Sequence, residues 1–204
     1  PTLAVFRNMI LLPDVPEIHD HPDNALVPKR LRDFWPVYLQ RAGCPQGGPL
    51  EDRQREFAKF QELTGRLYRA GVPLLVGTDS PEPQCPPGFS LHQELEMLVE
   101  YAGFTPMEAI KAATSEAAWV MKMDGRLGAV APGCAADVIV VDGDPLRDIK
   151  VLAREGAITE VIKAGRRIDI TTPIPDRGPR PGEKVAFLAT CPLTRSFALE
   201  DTNL

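Results

Sequence analysis

The chain of 204 residues is 44% hydrophobic and 25% charged, which is typical of a globular protein and excludes the disordered and fibrous classes. Its net charge of -5, with scattered Lys and Arg residues, argues against partners such as nucleic acid or an anionic membrane, and its apolar runs are too short to span a bilayer. Four widely separated cysteines, at Cys44, Cys85, Cys134 and Cys191, indicate buried or incidental thiols rather than a zinc knuckle or a disulfide framework.

The start of the sequence carries neither a methionine nor a signal-peptide pattern. Because the first residue is Pro1, we expect a segment of a longer or processed chain, whose missing part could hold a targeting signal. The localisation therefore stays open, with the cytoplasm as the default expectation.

Strand and helix patterns alternate through the amino-terminal part. Thr2–Phe6 is apolar and β-branched and is predicted as a strand, followed by a loop rich in Pro and Asp at 13–28. Helices are predicted at 29–42 and 51–70 from their apolar spacing. The run Val72–Val76 has no polar alternation, which is typical of a parallel strand buried on both faces.

Capping signatures predict three further helices. Ser90 with Gln93 three residues later forms a capping box, and the sequence TPME at 105–108 repeats this pattern with proline at the first helical position. Ser115 is predicted to cap a third helix that ends near Met123.

Beyond Asp124 the pattern changes to short antiparallel strands. Val138–Val141 is predicted as a strand, and Ile158–Ile168 as a hairpin that turns at residues 163–166. We therefore expect a domain boundary near Asp124. The proline-rich sequence at 171–204 is predicted to be a loosely attached tail.

The strongest candidate for chemistry lies in the sequence VGTDSP at 76–81, where the buried strand ends. Ligands bind beyond the carboxyl ends of parallel strands, so the Asp79 carboxylate is placed to bind a metal ion or to move a proton. An Asp at a strand end is also a common turn former or helix cap, and this structural interpretation stays open. The prolines that follow predict a rigid loop at the mouth of the site.

The three histidines offer two further candidates. His92, in the first turn of the helix after the loop, could face the same mouth as Asp79 and bind substrate, or could simply be packed. His19-Asp20-His21 has the HxH spacing of a metal motif, but prolines on both sides leave no regular strand to support it. We expect this triplet to be a loop cluster with weak metal affinity.

Several segments together resemble a known family. They are GTDSP at 77–81, SLHQELEMLVEYAGFTPMEAIKAATSEAAWVM at 90–121, GRLGAVAPGCAADVIVVDGDPLRDI at 125–149 and VIKAGRRI at 161–168. This pattern is similar to the carboxyl-terminal part of the metal-dependent amidohydrolase superfamily, near its imidazolonepropionase-like and prolidase-like members. The most specific motif for this family is LGAVAPGCAADVIVVDGDP, whereas GTD alone would be weak evidence for it.

The resemblance implies an α/β fold in two parts. Residues 1–124 would form an incomplete (β/α) TIM-type barrel, with its last two strands and their helices, and residues 125–170 would form part of a small β-sandwich. Val72–Gly77 would be the last barrel strand and Thr2–Phe6 the strand before it.

The same resemblance implies a metal-dependent hydrolase that acts on an amide, cyclic amide or dipeptide C–N bond of a small-molecule substrate. Asp79 would bind a divalent metal, with zinc in one or two copies as the expected ion, and relay a proton, while Ser80 and His92 would bind substrate. Most metal ligands would lie outside this segment, which is therefore expected to be inactive alone. A deaminase or deacetylase of the same superfamily, and a catalytically silent structural or interaction module, stay open as alternatives. A homo-oligomer is also possible.

Overall fold

The computed structural model describes residues 1–11, 18, 20–21, 24–25, 27, 29–41, 48–80 and 82–171. The chain divides into two compact units, 1–172 and 173–204, and every described residue belongs to the first. The predicted tail at 171–204 thus lies outside the described residues, except for Thr171. No helix within the described ranges is both long enough and apolar enough to cross a membrane.

The described part of the chain contains six α-helices followed by three short strands. The helices are α1 (Leu3–Leu11), α2 (Lys29–Arg41), α3 (Leu50–Arg69), α4 (Phe89–Met97), α5 (Pro106–Ala113) and α6 (Ser115–Val120). Helix α4 continues into a π-helical turn at Leu98–Ala102. The strands are β1 (Val138–Val141), β2 (Ile158–Lys163) and β3 (Arg166–Ile168), with a 3-10 helix at Ile149–Ala153 between the first two.

The first segment corrects the prediction of a strand at Thr2–Phe6, because helix α1 begins at Leu3. Leu3, Ile10 and Leu11 are buried in the core, at the spacing of one helical face. An apolar run of five residues cannot distinguish a strand from a buried helix by its period. The first turn of α1 is also stabilised by a distant side chain, the carboxylate of Glu94.

The segment Val72–Val76 is extended, as predicted, but it forms no β-bridge with any other described residue. Backbone hydrogen bonds hold it at both ends, from the N–H of Val72 to the carbonyl of Leu67 and from the N–H of Gly77 to the carbonyl of Pro1. The described residues therefore form a mixed α/β structure, while the incomplete barrel stays a prediction.

The core lies between α1, α3, α4 and the π-helical turn. Two aromatic stacks join these elements: the rings of Phe6 and Phe60 lie 4.5 Å apart, and those of Tyr68 and Phe104 lie 4.0 Å apart. The 3-10 helix packs against α4 and so connects the strands to the helical part. The buried core residues include Leu3, Ala4, Ile10, Leu11, Leu39, Phe57, Leu95, Met97, Leu98, Ala102, Phe104, Ala109, Ala112, Ile149 and Leu152.

One of the three predicted caps is confirmed. The Thr105 hydroxyl accepts the Glu108 backbone N–H, and the Glu108 carboxylate accepts the Thr105 N–H, which completes a capping box at α5. The capping box predicted at Ser90 is wrong, because α4 already begins at Phe89 and the Ser90 hydroxyl donates back to the carbonyl of Pro86. The cap predicted at Ser115 is also wrong, since that residue is the first of helix α6.

The predicted hairpin is confirmed. Strands β1, β2 and β3 form one antiparallel sheet in that order. Ala164 and Gly165 connect β2 to β3 with φ values of +50° and +74°, which is the backbone of a type I′ turn. The carboxylate of Asp137 accepts the Ala164 N–H at 2.7 Å and holds this turn. The β-sandwich to which this sheet would belong stays a prediction.

Candidate functional site

Asp79 follows the extended segment and is exposed, with its backbone in the left-handed region at φ +54°. Gln84, five positions later, is buried and also left-handed, at φ +60°. This conformation is unfavourable for residues other than glycine, although Asp tolerates it better than most. We call residues 77–80 and 82–85 the Asp79 loop. Two strained positions in one short loop are characteristic of functional sites, where the surrounding structure has to maintain the conformation.

Hydrogen bonds within the Asp79 loop make it compact. The N–H of Glu82 donates to the carbonyl of Asp79 at 3.1 Å, and the N–H of Cys85 donates to the carbonyl of Glu82 at 2.9 Å. The Ser80 hydroxyl donates to the carbonyl of Cys85 at 2.8 Å. The hydroxyl proton of Ser80 is thus donated within the loop, and only the hydroxyl oxygen can still accept a hydrogen bond from a substrate. The substrate-binding role of Ser80 stays a prediction.

Helix α1 and Pro1, two residues before it, contact the two ends of the Asp79 loop. The buried side-chain amide of Asn8 donates to the carbonyl of Gln84 at 2.6 Å and to the sulfur of Cys85 at 3.4 Å. At the other end, the N–H of Gly77 donates to the carbonyl of Pro1 at 3.1 Å. A β-carbon at Gly77 would stand 3.4 Å from that carbonyl oxygen, so the two backbones lie close together.

Glu82 is a second acid in the loop that the sequence analysis missed. Burial raises the pKa of its half-buried carboxyl, a hydrogen bond from Tyr38 opposes this, and the nearby negative charge of Asp79 raises the pKa further. A carboxyl group with a raised pKa beside a second acid is suited to proton transfer. The sequence carries no signal for it, because Glu82 lies in a proline-rich loop without a hydrophobic period.

Glu94 is a second residue that the sequence analysis missed. It is fully buried in α4, and its Oε2 accepts the backbone N–H of Ala4 at 2.6 Å. Burial raises the pKa of Glu94 to about 7, while backbone N–H groups at the start of α1 oppose the shift. The sequence does carry a sign of this burial, because Glu94 is an acid on the apolar helical face formed by Leu91, Leu95 and Leu98.

The prediction for the cysteines is confirmed where the structure describes them. Cys85 and Cys134 are both free thiols. Cys85 is fully buried, and burial raises its pKa to about 12, which makes the thiol inert. Cys44 and Cys191 lie outside the described residues.

The histidine candidates stay predictions. His92 is half-buried in α4, and its ring meets the ring of Phe89 edge-on at 6.5 Å between centroids. His19, the first histidine of the HxH pair, lies outside the described residues. The backbone carbonyl of His21 accepts the N–H of Asn24 at 3.0 Å.

The described residues do not by themselves fit a metal centre. No three His, Cys, Asp or Glu side chains among them come together as a possible ligand set. Asp79 thus offers a single exposed carboxylate, whereas a zinc centre needs at least three protein ligands.

The model of the amidohydrolase family matches residues 57–168, which is more than half of the chain. The chain belongs to this family. The matched range contains the Asp79 loop, helices α4 to α6 and the three strands, and it confirms the resemblance found in the sequence.

Known members of the amidohydrolase family match over a limited share of their length. Ochratoxinase of Aspergillus niger is 41% identical over 121 residues, which are 55% of this chain and 24% of that protein. Imidazolonepropionase of Deinococcus deserti is 36% identical over 103 residues, which are 50% of this chain and 25% of that protein. The chain therefore spans about a quarter of the length of the curated relatives it matches.

Solved structures of the family are also similar to this chain over only part of their length. The crystal structure of A. niger ochratoxinase is similar with a TM-score of 0.51 and 32% identity, over 67% of this chain and 30% of that one. A Xaa-Pro dipeptidase with bound methionine in its active site has a TM-score of 0.50 and 28% identity, over 59% of this chain and 28% of that one. The described α/β structure is thus similar to part of the amidohydrolase fold, which is of the TIM-barrel type.

Proposed function

We propose that this chain forms part of a metal-dependent hydrolase that cleaves the C–N bond of an amide, cyclic amide or dipeptide in a small molecule. The observation that carries the proposal is the match of residues 57–168 to the amidohydrolase family, because this range includes the Asp79 loop. The named relatives support the bond type: ochratoxinase hydrolyses an amide and imidazolonepropionase a cyclic amide.

Asp79 is the residue to which we assign proton transfer. Its carboxylate is exposed at the end of the extended segment, and its backbone is fixed by the bonds of the Asp79 loop. A carboxylate held in this way can take a proton from the attacking water and pass it to the leaving nitrogen. We also assign it one ligand position on a divalent metal, with zinc as the expected ion. The remaining ligands would come from parts of the enzyme that lie outside the described residues.

Ser80 and His92 are proposed to contact the substrate. Ser80 is adjacent to Asp79 and keeps its hydroxyl oxygen available as an acceptor. His92 lies on α4, the first helix after the loop, one turn from its start. Both residues thus belong to the segment that carries the proposed proton-transfer group.

The proposal is tested on the longest natural polypeptide that includes these 204 residues. Its metal content is measured, and it is assayed with an N-acyl amino acid, a cyclic amide and a dipeptide that ends in proline. We expect turnover of at least one of these, loss of turnover on chelation and recovery with zinc. Turnover of only a cyclic amidine or an N-acetyl amino sugar would indicate the deaminase or deacetylase. No turnover and no stoichiometric metal would indicate a silent module.

A further inference from the structure

A buried carboxylate on helix α4, that of Glu94, contacts the first turn of helix α1. Glu94 has no exposed surface, and its Oε2 accepts the backbone N–H of Ala4 in the first turn of that helix, while the neighbouring N–H of Leu3 lowers the pKa of the same carboxyl group. These N–H groups have no partner within the helix, and the positive end of the helix dipole favours a negative charge beside them. Glu94 therefore stabilises the first turn of α1.

Helix α1 in turn holds the Asp79 loop. The carbonyl of Pro1, two residues before α1 begins, accepts the N–H of Gly77, and the side chain of Asn8 in α1 binds the carbonyl of Gln84. These two bonds lie on either side of Asp79 and fix both ends of the loop in which it takes its left-handed conformation.

We propose that Glu94 is a positioning residue for Asp79 and acts through helix α1. The proposal rests on the proposed function, since it takes Asp79 as the group that transfers the proton. Glu94 itself does not touch the Asp79 loop through any defined bond. Its effect passes through the first turn of α1 to the carbonyl of Pro1, and along the helix to Asn8.

The second oxygen of Glu94 supports a role beyond stability. Oε1 is buried and has no hydrogen-bond partner among the described residues. Burying a carboxylate with one unsatisfied oxygen is costly, and an apolar side chain of similar volume would usually stabilise such a site better. The acid is therefore better explained by the geometry that it imposes on α1 than by a gain in stability.

The first test measures amide hydrogen exchange of the 204-residue chain. Glu94→Leu removes the acceptor, so amides at 77–80 should exchange about tenfold faster or more, whereas Glu94→Gln keeps an acceptor oxygen and should stay within about threefold of the parent chain. Thr105→Ala is the matched control, because it removes the cap of α5 without touching the loop. Unchanged exchange at 77–80 in Glu94→Leu, or equal loosening by Gln and Leu, would overturn the proposal.

A second variant keeps the proposal testable should Glu94→Leu not fold. Asn8→Ala removes the bonds from α1 to Gln84 and Cys85 but leaves the buried carboxylate in place. Amides at 82–85 should exchange about tenfold faster in this variant. Unchanged exchange there would show that α1 does not hold the loop and would overturn the proposal.

The enzymatic consequence is measured separately, on the longest natural polypeptide that includes this chain. Displacing a proton-transfer group lowers kcat more than it changes KM, so Glu94→Leu should lower kcat by about tenfold or more, and Glu94→Gln should largely restore it. A lower kcat without rescue by Gln would contradict positioning through the acceptor. If Asp79→Asn is fully active while Glu94→Leu loosens the loop, the proposed function fails and the structural link stands.

Discussion

The carboxylate of Glu94 accepts a 2.6 Å hydrogen bond from the backbone N–H of Ala4, across 90 residues of sequence. This bond joins helix α4 to the start of helix α1. Because Asn8 of α1 and Pro1, two residues before α1, contact the two ends of the Asp79 loop, one buried side chain connects three separate parts of the chain. The relationship has consequences for stability as well as for the proposed site.

Stability should depend on pH through Glu94. Burial raises the pKa of this group from 4.5 to about 7, against opposing backbone N–H donors, so the folded state holds the proton more tightly than the unfolded chain does. The free energy of unfolding should therefore fall as pH rises from about 4.5 to about 7, by roughly 3 kcal/mol, and stay low above that range.

Glu94→Gln isolates this effect. Urea unfolding at about pH 5 and about pH 8 should show a much smaller difference for the variant than for the parent chain, because the amide does not titrate. Other acids with a raised pKa, such as Glu82 and Glu96, are unchanged in both proteins and cancel in the comparison. An equal pH dependence in the two proteins would show that Glu94 does not cause it.

A close backbone contact makes Gly128 sensitive to substitution. Its φ is +81°, and a β-carbon there would lie 2.6 Å from the carbonyl oxygen of Thr114. Gly125 has a similar φ of +73° but open space around it, so it is a matched control for backbone strain alone. Gly125→Ala should cost about 1 kcal/mol of stability, and Gly128→Ala about 3 kcal/mol, as measured by urea unfolding. Equal losses would mean that the Thr114 contact is unimportant.

Relief of strain in the hairpin turn should stabilise the chain. Ala164 has φ +50°, which glycine adopts without cost. Ala164→Gly should therefore raise the free energy of unfolding by about 0.5 kcal/mol, despite the greater entropy of the unfolded chain. Ala129→Gly, at an exposed bend outside the left-handed region, should lower it by a similar amount. The same sign of change in both variants would contradict a strained turn at Ala164.

Features set by neighbouring residues could be predicted from the sequence. The capping box of Thr105 and Glu108 depends on residues three apart, and the turn at Ala164 and Gly165 depends on two adjacent residues between apolar runs. Local hydrogen bonds and local backbone preferences determine both features. Membership of the amidohydrolase family could also be predicted from the sequence, because the resemblance depends on contiguous motifs.

Features that depend on distant partners could not be predicted in this way. The segment at Thr2–Phe6 is apolar enough for a strand or a helix, and the residue that stabilises its helical start, Glu94, is far away in sequence. The position of Asp79 at the end of an apolar run was visible. Its left-handed backbone and the anchoring by Asn8 follow from tertiary contacts that no local pattern encodes.

The 204-residue chain alone should bind zinc weakly and show no hydrolase activity. Catalytic zinc needs at least three well-placed protein ligands, and the described residues contain no such group. The measurement is a zinc titration together with an amide hydrolysis assay of the purified chain. Metal-dependent turnover that is lost in His19→Ala or His21→Ala would contradict the prediction and would make those histidines ligands.

The catalytic assignment of Asp79 is tested most directly by Asp79→Asn in the longest natural polypeptide that includes this chain. Asn tolerates the left-handed backbone as Asp does, so the substitution removes the charge and the proton-accepting group while keeping the shape. Turnover should fall by about 100-fold or more with little change in Tm, whereas the control Asp124→Asn should leave turnover unchanged. An Asp79→Asn protein that loses about 1 kcal/mol of stability but keeps nearly full activity would show that Asp79 is a structural residue.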